Sequence, residues 1–197
     1  DQLNEYADLY DQPISIKEID GRTYADVGFD QWSASGLAVA WAEENTRDSI
    51  FQAFKRKETF ATTGTRIAVR FFAGFDMDSI DLNSEDMVSN AYEKGVTMGA
   101  DLFSQNNQTP QFLVWAQRDK LGAPLQRVQI IKGWVENASG TPKEKVYDVA
   151  CSDGLSVDPL TNRCPDNGAR VNISDCSISN DVGAGELKTT WTDPDFD

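Results

Sequence analysis

The stretch GLAVAWAEENTRDSIFQAFKRKETFATTGTRIAVRFF, residues 36–72, carries the strongest secondary-structure signals in the chain. It begins with a nearly continuous apolar run at 36–42, short enough for a strand buried on both faces as in an α/β layer. It ends with the alternating pattern of a half-buried strand, whose apolar side is formed by Ile67, Val69 and Phe71. The pattern predicts two strands, one at each end of the stretch.

The segment between these strands has the pattern of an amphipathic helix. Asn45 or Thr46 can cap its first turn, where Asp48 suits the positive end of the helix dipole. Basic residues occupy its other end at 55–57, and one face carries three apolar residues, Ile50, Phe51 and Phe54. A helix is therefore predicted here, followed by a strand or extended turn at 58–64.

Short strands and polar turns dominate the rest of the sequence. The strand patterns are FLVWAQ (112–117), LQRVQIIKGWVEN (125–137), EKVYDVAC (144–151) and ELKTTW (186–191). The segment ASGTPK between the second and third is typical of a hairpin connection. A short helix is predicted within 76–95, with Asn83 or Ser84 as its cap and Gly95 as its end. Residues 1–34 look irregular, with one short strand expected in 16–30.

These patterns predict an α+β, mostly β protein that divides near residue 65. Residues 1–64 are expected to hold the irregular N-terminal segment and the strand–helix unit. Residues 65–197 are expected to form a β-rich C-terminal domain, an antiparallel β-sandwich-like fold with a cysteine-containing loop at 151–176.

The charge of the chain limits its partners. It has 18 basic and 32 acidic residues and a net charge of −14. This balance repels phosphate backbones and anionic lipid, so neither nucleic acid nor a membrane surface is an expected partner. No apolar run approaches the roughly 20 residues that a membrane-spanning helix needs. The first residues are acidic and polar and do not form a signal peptide, which leaves export open.

Three cysteines, Cys151, Cys164 and Cys176, lie in one polar segment rich in Gly, Pro, Asp and Asn. Their spacing does not match the CxxC pairs of zinc sites. A loop with little core of its own gains stability from a crosslink, so a disulfide between two of the three is predicted. The alternative is three reduced, partly buried thiols. A disulfide implies an oxidising compartment, and the odd count leaves one thiol for a partner outside the chain.

The chain contains no histidine. Ser-His-Asp and Cys-His sites and imidazole-bound metals are therefore excluded, and no catalytic residue is assigned. The runs of acidic residues are interpreted as solvated surface. A weak calcium hypothesis attaches to the oxygen-rich loop with Asp153, Asp158 and Asp166, although the loop does not follow the calcium-binding EF-hand pattern. The alternative is a turn-rich loop whose side chains cap their own backbone.

Two further groups of residues have both a structural and a binding interpretation. Arg66 and Arg70 share one face of a predicted strand, where they can meet an anion or pair with nearby carboxylates. Four aromatic residues on predicted strands either pack in the core or form a sugar- or peptide-binding face: Trp115, Trp134, Tyr147 and Trp191.

Several blocks of the sequence form one ordered pattern: the stretch 35–75, KGVTMGADL, LQRVQIIKGWVENASGTPKEKVYDVACSDG, NRCPDNGARVNISDC and WTDPDFD. In this order they resemble a bacterial family known as domain of unknown function 3604. This family is related to the PHP (polymerase and histidinol phosphatase) metallohydrolases. Its members resemble longer exported or envelope proteins with an N-terminal metal-binding barrel that carries histidine motifs. None of those histidines has a counterpart in this chain.

The resemblance implies that residues 36–64 correspond to the last strand–helix unit of a PHP-like barrel. It also implies a divalent metal in the intact parent, a phosphoester or related ester as substrate, and a bacterial periplasmic or extracellular location. In this chain alone no cofactor is expected. Residues bordering such a site are sought in the last barrel unit, among Glu43, Glu44, Arg47, Thr63 and Arg66.

The first functional hypothesis is thus a non-catalytic C-terminal fragment of a metal-dependent hydrolase, covered by the missing barrel portion or by a neighbouring chain. The strand of this unit is expected to have no sheet mates from its own chain, so without such a cover it would expose backbone donors and apolar surface. The second hypothesis is an extracellular, disulfide-stapled β-sandwich module for binding or self-association. A third is a calcium-dependent carbohydrate binder.

Overall fold

The computed structural model describes residues 15–26, 36–104, 108–136 and 139–196. They fall into two compact units, one before and one after the Gly36/Leu37 junction. The first unit contains an antiparallel hairpin of β1 (Ser15–Ile19) and β2 (Arg22–Asp26). Its two-residue turn is Asp20–Gly21, with φ of 51° and 72°. An Asp-Gly pair favours such turns because both positions need positive φ. The expectation of one short strand in this range is therefore wrong, since the range holds two.

The second unit opens with the predicted strand–helix–strand order. β3 (Ala38–Ala40) is followed by helix α1 (Arg47–Lys55) and by β4 (Thr59–Ala61). The predicted cap is confirmed at Thr46, whose Oγ1 accepts a hydrogen bond from the Ser49 backbone N–H at 3.3 Å. β3 and β4 pair with each other in an antiparallel ribbon, so the expectation that this strand has no sheet mates from its own chain is wrong.

The burial of this region differs from the prediction in two ways. β3 is not buried on both faces, because Ala38 is exposed and the other two residues are half-buried. On α1 only Ala53 is buried, and the predicted apolar face is largely exposed: Phe51 is 58% and Phe54 53% exposed. The Lys55 ammonium lies 5.9 Å from the ring centroid of Phe51, and both rings remain more than half exposed.

A four-stranded antiparallel sheet forms the centre of the second unit. Its order is β10–β7–β5–β6. The bounds of these strands are β5 (Ala68–Gly74), β6 (Gly95–Thr97), β7 (Gln111–Gln117) and β10 (Glu186–Thr192). β7 pairs with β5 on one side and β10 on the other. The strands predicted at 66–72, 112–117 and 186–191 are thereby confirmed.

The central sheet is covered on both faces. Phe72 and Leu113 face a cluster with residues of helix α2 (Met87–Lys94) and of a 3-10 turn at Met77–Ser79. Val114 and Ala116 face a second cluster, which contains Leu125 and Val128 and is extended by Ile67, Val69 and Phe71. β5 is therefore packed on both sides, and the prediction of a half-buried strand is wrong for Phe72, which is 1% exposed.

Helix α2 begins later than predicted and ends where predicted. Its N-cap is Asp86, without a side-chain capping bond, so the proposed caps Asn83 and Ser84 are wrong. It ends before Gly95, whose φ of −165° is extended rather than left-handed. A Cβ on Gly95 would lie 2.2 Å from the Ala73 carbonyl oxygen. Close pairing of β5 with β6, rather than a positive φ, therefore requires this glycine.

A second ribbon lies beside the sheet. β8 (Arg127–Val135) and β9 (Pro142–Cys151) pair along their whole length, with a bulge at Val128/Gln129. Their pairing confirms the predicted hairpin. Val128 of β8 and Val149 and Ala150 of β9 belong to the second core cluster, so the ribbon packs on one face of the sheet.

The described residues are mostly β, with antiparallel sheets and few helices, which confirms the predicted β-rich class. None of the helices in these ranges has the length and apolar character needed to cross a membrane. Residues 37–64 and the later residues belong to one compact unit, and the proposed division near residue 65 stays a prediction.

Candidate functional site

A cleft of about 460 Å³ lies in the second unit, where residues 41–58 meet β5 and α2. Its chemistry-bearing lining residues are Trp41, Glu43, Arg56, Glu58, Arg70 and Tyr92. They come from the segments around α1, from the central sheet and from α2, so the cleft exists only when the fold is complete.

The floor of the cleft is the carboxylate of Glu58, which is 2% exposed. Its Oε1 accepts hydrogen bonds from the hydroxyls of Tyr92 and Thr97, the latter at 3.3 Å. Two guanidinium groups flank it: Arg70 Nη1 lies 3.6 Å from Oε1, and Arg56 Nη2 lies 3.4 Å from Oε2. A buried carboxylate is costly unless it is paired and hydrogen-bonded. Both oxygens of Glu58 are satisfied in this way.

The turn after α1 places Glu58 in the cleft. Lys57 adopts a left-handed backbone with φ of 59°, which ends the helix. The Glu58 N–H then donates to the Ala53 carbonyl at 3.0 Å, and its carbonyl accepts from the Trp41 N–H at 3.0 Å. The residue is thus tied by its backbone both to α1 and to the segment after β3.

The planar guanidinium group of Arg70 has contacts on its face and at its edge. Its guanidinium carbon lies 3.9 Å from the ring centroid of Trp41, a stacked cation–π contact. Its Nη1 donates to the Tyr92 hydroxyl at 2.8 Å. The indole of Trp41 is itself fixed, because its Nε1–H donates to the Val69 carbonyl at 2.9 Å. Arg70 therefore occupies one defined position, and its pairing with Glu58 agrees with the predicted pairing to a carboxylate.

Tyr92 lies between the carboxylate of Glu58 and the guanidinium of Arg70 and hydrogen-bonds to both. Its hydroxyl donates to Glu58 and accepts from Arg70. Burial raises the pKa of Tyr92, the hydrogen bond to Glu58 raises it further, and Arg70 offsets part of this change. Because the raised pKa lies above the usual tyrosine value of about 10, the hydroxyl keeps its proton near neutrality and acts as a donor.

A second cleft of about 310 Å³ shares Trp41 and Arg70 with the first. Its other walls include Val88 of α2 and Trp115 of β7. Trp115 is oriented by its Nε1–H, which donates to Glu186 Oε2 at 3.1 Å. The stacked Trp41–Arg70 pair thus borders both a charged cleft and a mainly apolar one.

The residues proposed to border a barrel site are spread over the surface. Glu43 lines the first cleft. The Glu44 N–H donates to Ser49 Oγ near the start of α1, and Arg47 is the first residue of that helix. The Thr63 carbonyl accepts from Thr65, and the Arg66 N–H donates to Asp119 Oδ2 at 2.8 Å. The structure brings only Glu43 of these five to the cleft.

The three calcium candidates bond to their own neighbours. Asp153 accepts from Ser152 Oγ, Asn167 Nδ2 and the Gly183 N–H. Asp158 accepts from the Leu160 N–H at 2.8 Å. Asp166 accepts from Arg170 and the Gly168 N–H, and these bonds, Arg170 first, lower its pKa to about 2. Within the described ranges, no three or more Asp, Glu, Cys or His residues form a group that could hold a metal ion. Calcium binding here stays a prediction.

The predicted disulfide is confirmed and joins Cys151 at the end of β9 to Cys164, with Cα atoms 5.6 Å apart. Cys176 is free and exposed. The crosslinked loop is also held by Asp148, which is 3% exposed and accepts from the Cys164 N–H at 2.7 Å. Arg127 and Arg163 lie 3.6 and 3.4 Å from the same carboxylate.

The four aromatic residues on predicted strands do not share one exposed face. Tyr147 is 2% exposed and packs against Trp191, with ring centroids 5.0 Å apart. Trp134 is 40% exposed and lies near Lys132, while Trp115 lines the second cleft. The core interpretation therefore fits Tyr147 and Trp191, and Trp115 belongs to the candidate site.

The central residues of the site, Glu58 and Tyr92, were not among the sequence candidates. Glu58 follows the basic run 55–57 and looks like an ordinary charged residue at a helix end. Its partners Tyr92 and Thr97 lie 34 and 39 positions away. No local spacing signals such a group, and only the packing of α2 and β6 around β5 assembles it.

The fold and the site together define a mostly β, disulfide-crosslinked antiparallel protein with a cleft built on a buried ion-pair network. The family described as protein of unknown function, DUF3604, matches residues 9–197, and the chain belongs to this family. Comparisons with curated proteins and with solved structures give no significant match.

Proposed function

We propose that this chain is the C-terminal, β-rich part of a PHP-like metal-dependent hydrolase, which acts on a phosphoester or related ester in the periplasm or outside a bacterial cell. In this proposal residues 36–64 complete a barrel that holds the metal elsewhere, and residues 65–197 form a sandwich-like domain against it. The family membership and the resemblance of the sequence blocks favour this interpretation.

The observation that carries the proposal is the uncovered face of α1. Phe51 and Phe54 of α1 are 58% and 53% exposed, although they lie in the part of the chain with the strongest strand–helix pattern. Exposed apolar patches of this kind mark surfaces that another segment covers. A barrel packed on α1 would bury both rings, and each buried aromatic side chain contributes about 1.5–3 kcal/mol.

The described residues do not fit a catalytic metal centre. They contain no group of three or more metal-ligating side chains, and the whole chain has no histidine. We therefore derive no catalytic step for this chain and assign it a supporting role: it packs against the barrel and shapes access to a site located there.

Hydrolysis of bis(p-nitrophenyl) phosphate tests this assignment. A preparation whose mass matches these 197 residues is assayed with added Mn²⁺ or Zn²⁺, beside the complete gene product. We expect turnover by the complete product alone. Turnover by the 197-residue chain, with stoichiometric bound metal, would contradict the proposal.

The packing role is tested with the double substitution Phe51→Ser and Phe54→Ser. Because both rings are exposed here, the free energy of unfolding of the isolated chain should change by less than about 0.5 kcal/mol per site. In the complete gene product the same change should lower stability by several kcal/mol. The matched control is Leu121→Ser with Leu160→Ser, which are 93% and 91% exposed and should be neutral in both proteins. Equal behaviour of the two double variants would refute packing through α1.

The alternative is an extracellular module for binding or self-association. It is favoured by the Cys151–Cys164 disulfide, which suits an oxidising compartment, and by the exposed side chains of Ile131 and Val135 on β8. These two residues are directly paired with Val146 and Pro142 on one side of the ribbon. Analytical ultracentrifugation of the chain distinguishes the two functions, because only self-association predicts a concentration-dependent mass that Ile131→Lys abolishes.

A further inference from the structure

We propose that the two clefts joined at Trp41 and Arg70 form one binding site for an α-amino acid with an apolar side chain. In this site Arg56 and Arg70 bind the carboxylate and Glu43 binds the ammonium group. The side chain lies in the second cleft against Trp115 and Val88. The proposal is independent of the hydrolase assignment.

The size of the clefts and the two residues that they share suit a small molecule. Their volumes of about 460 and 310 Å³ lie in or near the range of about 300–1,000 Å³ that is typical of ligand sites. Both are lined by the stacked Trp41–Arg70 pair. A ligand placed at this pair reaches charged groups on one side and apolar side chains on the other.

The two arginines keep donors for a ligand. Each guanidinium has five N–H donors. Within the described ranges Arg70 makes one hydrogen bond, to Tyr92, and Arg56 makes one, to Glu58. No buried side-chain nitrogen or oxygen there lacks a partner, so the remaining donors are open to the cleft or to solvent. Since Glu58 accepts from Tyr92 and Thr97 and lies between both guanidinium groups, it fixes the arginines without using up their donors.

The charged residues that line the first cleft favour a zwitterionic ligand. Arg56 and Arg70 are balanced by Glu58 and Glu43. Glu58 is already paired, whereas Glu43 is exposed and makes no hydrogen bond or ion pair with any residue that the structure describes. A lone anion would leave the cleft with excess negative charge, and a lone cation would leave Arg donors unused. A molecule with one carboxylate and one ammonium group matches both.

The apolar cleft provides the place for a side chain. Trp41, Val88 and Trp115 line it, and the face of an indole packs well against aliphatic and aromatic groups. Both indoles are fixed by hydrogen bonds, to the Val69 carbonyl and to Glu186. Little side-chain entropy is therefore lost when a ligand binds.

Isothermal titration calorimetry with three related probes tests the proposal. L-Phenylalanine carries both charges, 3-phenylpropanoate lacks the ammonium group, and phenethylamine lacks the carboxylate. Because each charge-assisted bond contributes at least about 1.4 kcal/mol, we expect phenylalanine to bind about tenfold more tightly than either of the other two. Equal affinity for the three probes, or no heat with phenylalanine up to its solubility limit, would overturn the proposal.

Substitutions assign the two charge contacts separately. Glu43→Gln should weaken phenylalanine about tenfold and should not weaken 3-phenylpropanoate, while Arg56→Gln should weaken both. Arg170→Gln is the matched control, since Arg170, like Arg56, pairs with one carboxylate, which is here the exposed Asp166, and it should change no affinity. Circular dichroism verifies that each variant is folded. The proposal fails if Glu43→Gln affects the two probes equally or if Arg56→Gln affects neither.

Discussion

Replacing Glu58 by Gln is expected to destabilise the second unit, because it leaves the charges of Arg56 and Arg70 without their buried partner. The amide oxygen can still accept from Tyr92 and Thr97, so the change isolates the ion pairs with Arg56 and Arg70. Removing one partner of a buried pair costs about 3–5 kcal/mol. Here the Arg70 and Arg56 side chains are 20% and 44% exposed, and water partly solvates them. We therefore expect a loss of about 2–3 kcal/mol.

Urea unfolding followed by tryptophan fluorescence measures this loss, and thermal unfolding should show a decrease in Tm of about 4–12 °C. The matched control is Glu93→Gln, an exposed glutamate on α2, which should change stability by less than about 0.5 kcal/mol. Adding Arg70→Met to Glu58→Gln should recover part of the loss, because it removes the charge left unpaired. A loss below about 1 kcal/mol for Glu58→Gln would show that Glu58 does not stabilise these arginines and would refute the account of the cleft floor.

Three further perturbations test other parts of the fold. Removal of the disulfide by Cys151→Ser with Cys164→Ser should cost about 3 kcal/mol for its sequence separation of 13, whereas Cys176→Ser should be neutral in urea unfolding. Burial alone would raise the pKa of Asp148, but the hydrogen bonds and the neighbouring arginines lower this pKa overall. The Asp148 carboxylate therefore stabilises the fold above the usual Asp pKa. This stabilisation is lost as the pH falls through the lower pKa of the folded protein. The stability difference between the wild type and Asp148→Asn should therefore shrink below about pH 4, and a difference that is constant with pH would contradict the lowered pKa. Thr46→Ala should cost about 1 kcal/mol by removing the cap of α1, and unchanged stability would show that the cap contributes nothing.

Local patterns predicted the elements of this fold well where the signal is contained in neighbouring residues. The cap at Thr46, the end of α2 before Gly95 and the β8–β9 hairpin each depend on a few consecutive positions. The turn at Asp20–Gly21 carries an equally local signal that the polar composition of its strands obscured. Burial was less predictable, because it depends on what packs against each face: periodicity marked Val69 and Phe71 as buried but could not reveal that α2 also covers Phe72.

The candidate site was the least predictable part. Arg70 and Glu43 were noted from the sequence, but Glu58 and Tyr92 were not. The identity of a residue does not show whether its side chain is buried or exposed. What distinguishes Glu58 is the convergence of α1, β5, α2 and β6 on one point. This convergence is set by tertiary packing, and neither motif spacing nor composition reports it.

The position of β7 between β5 and β10 has a consequence for biosynthesis. β10 begins 69 residues after Gln117, its first partner residue in β7, so this edge of the sheet forms only after Thr192 has left the ribosome. Long-range strand pairing of this kind slows folding and leaves an unpaired edge exposed to neighbouring nascent chains. We expect ribosome-bound chains that stop before Glu186 to be protease-sensitive and those that extend past Thr192 to become resistant, whereas resistance of the shorter chains would mean that β5 and β7 fold without β10.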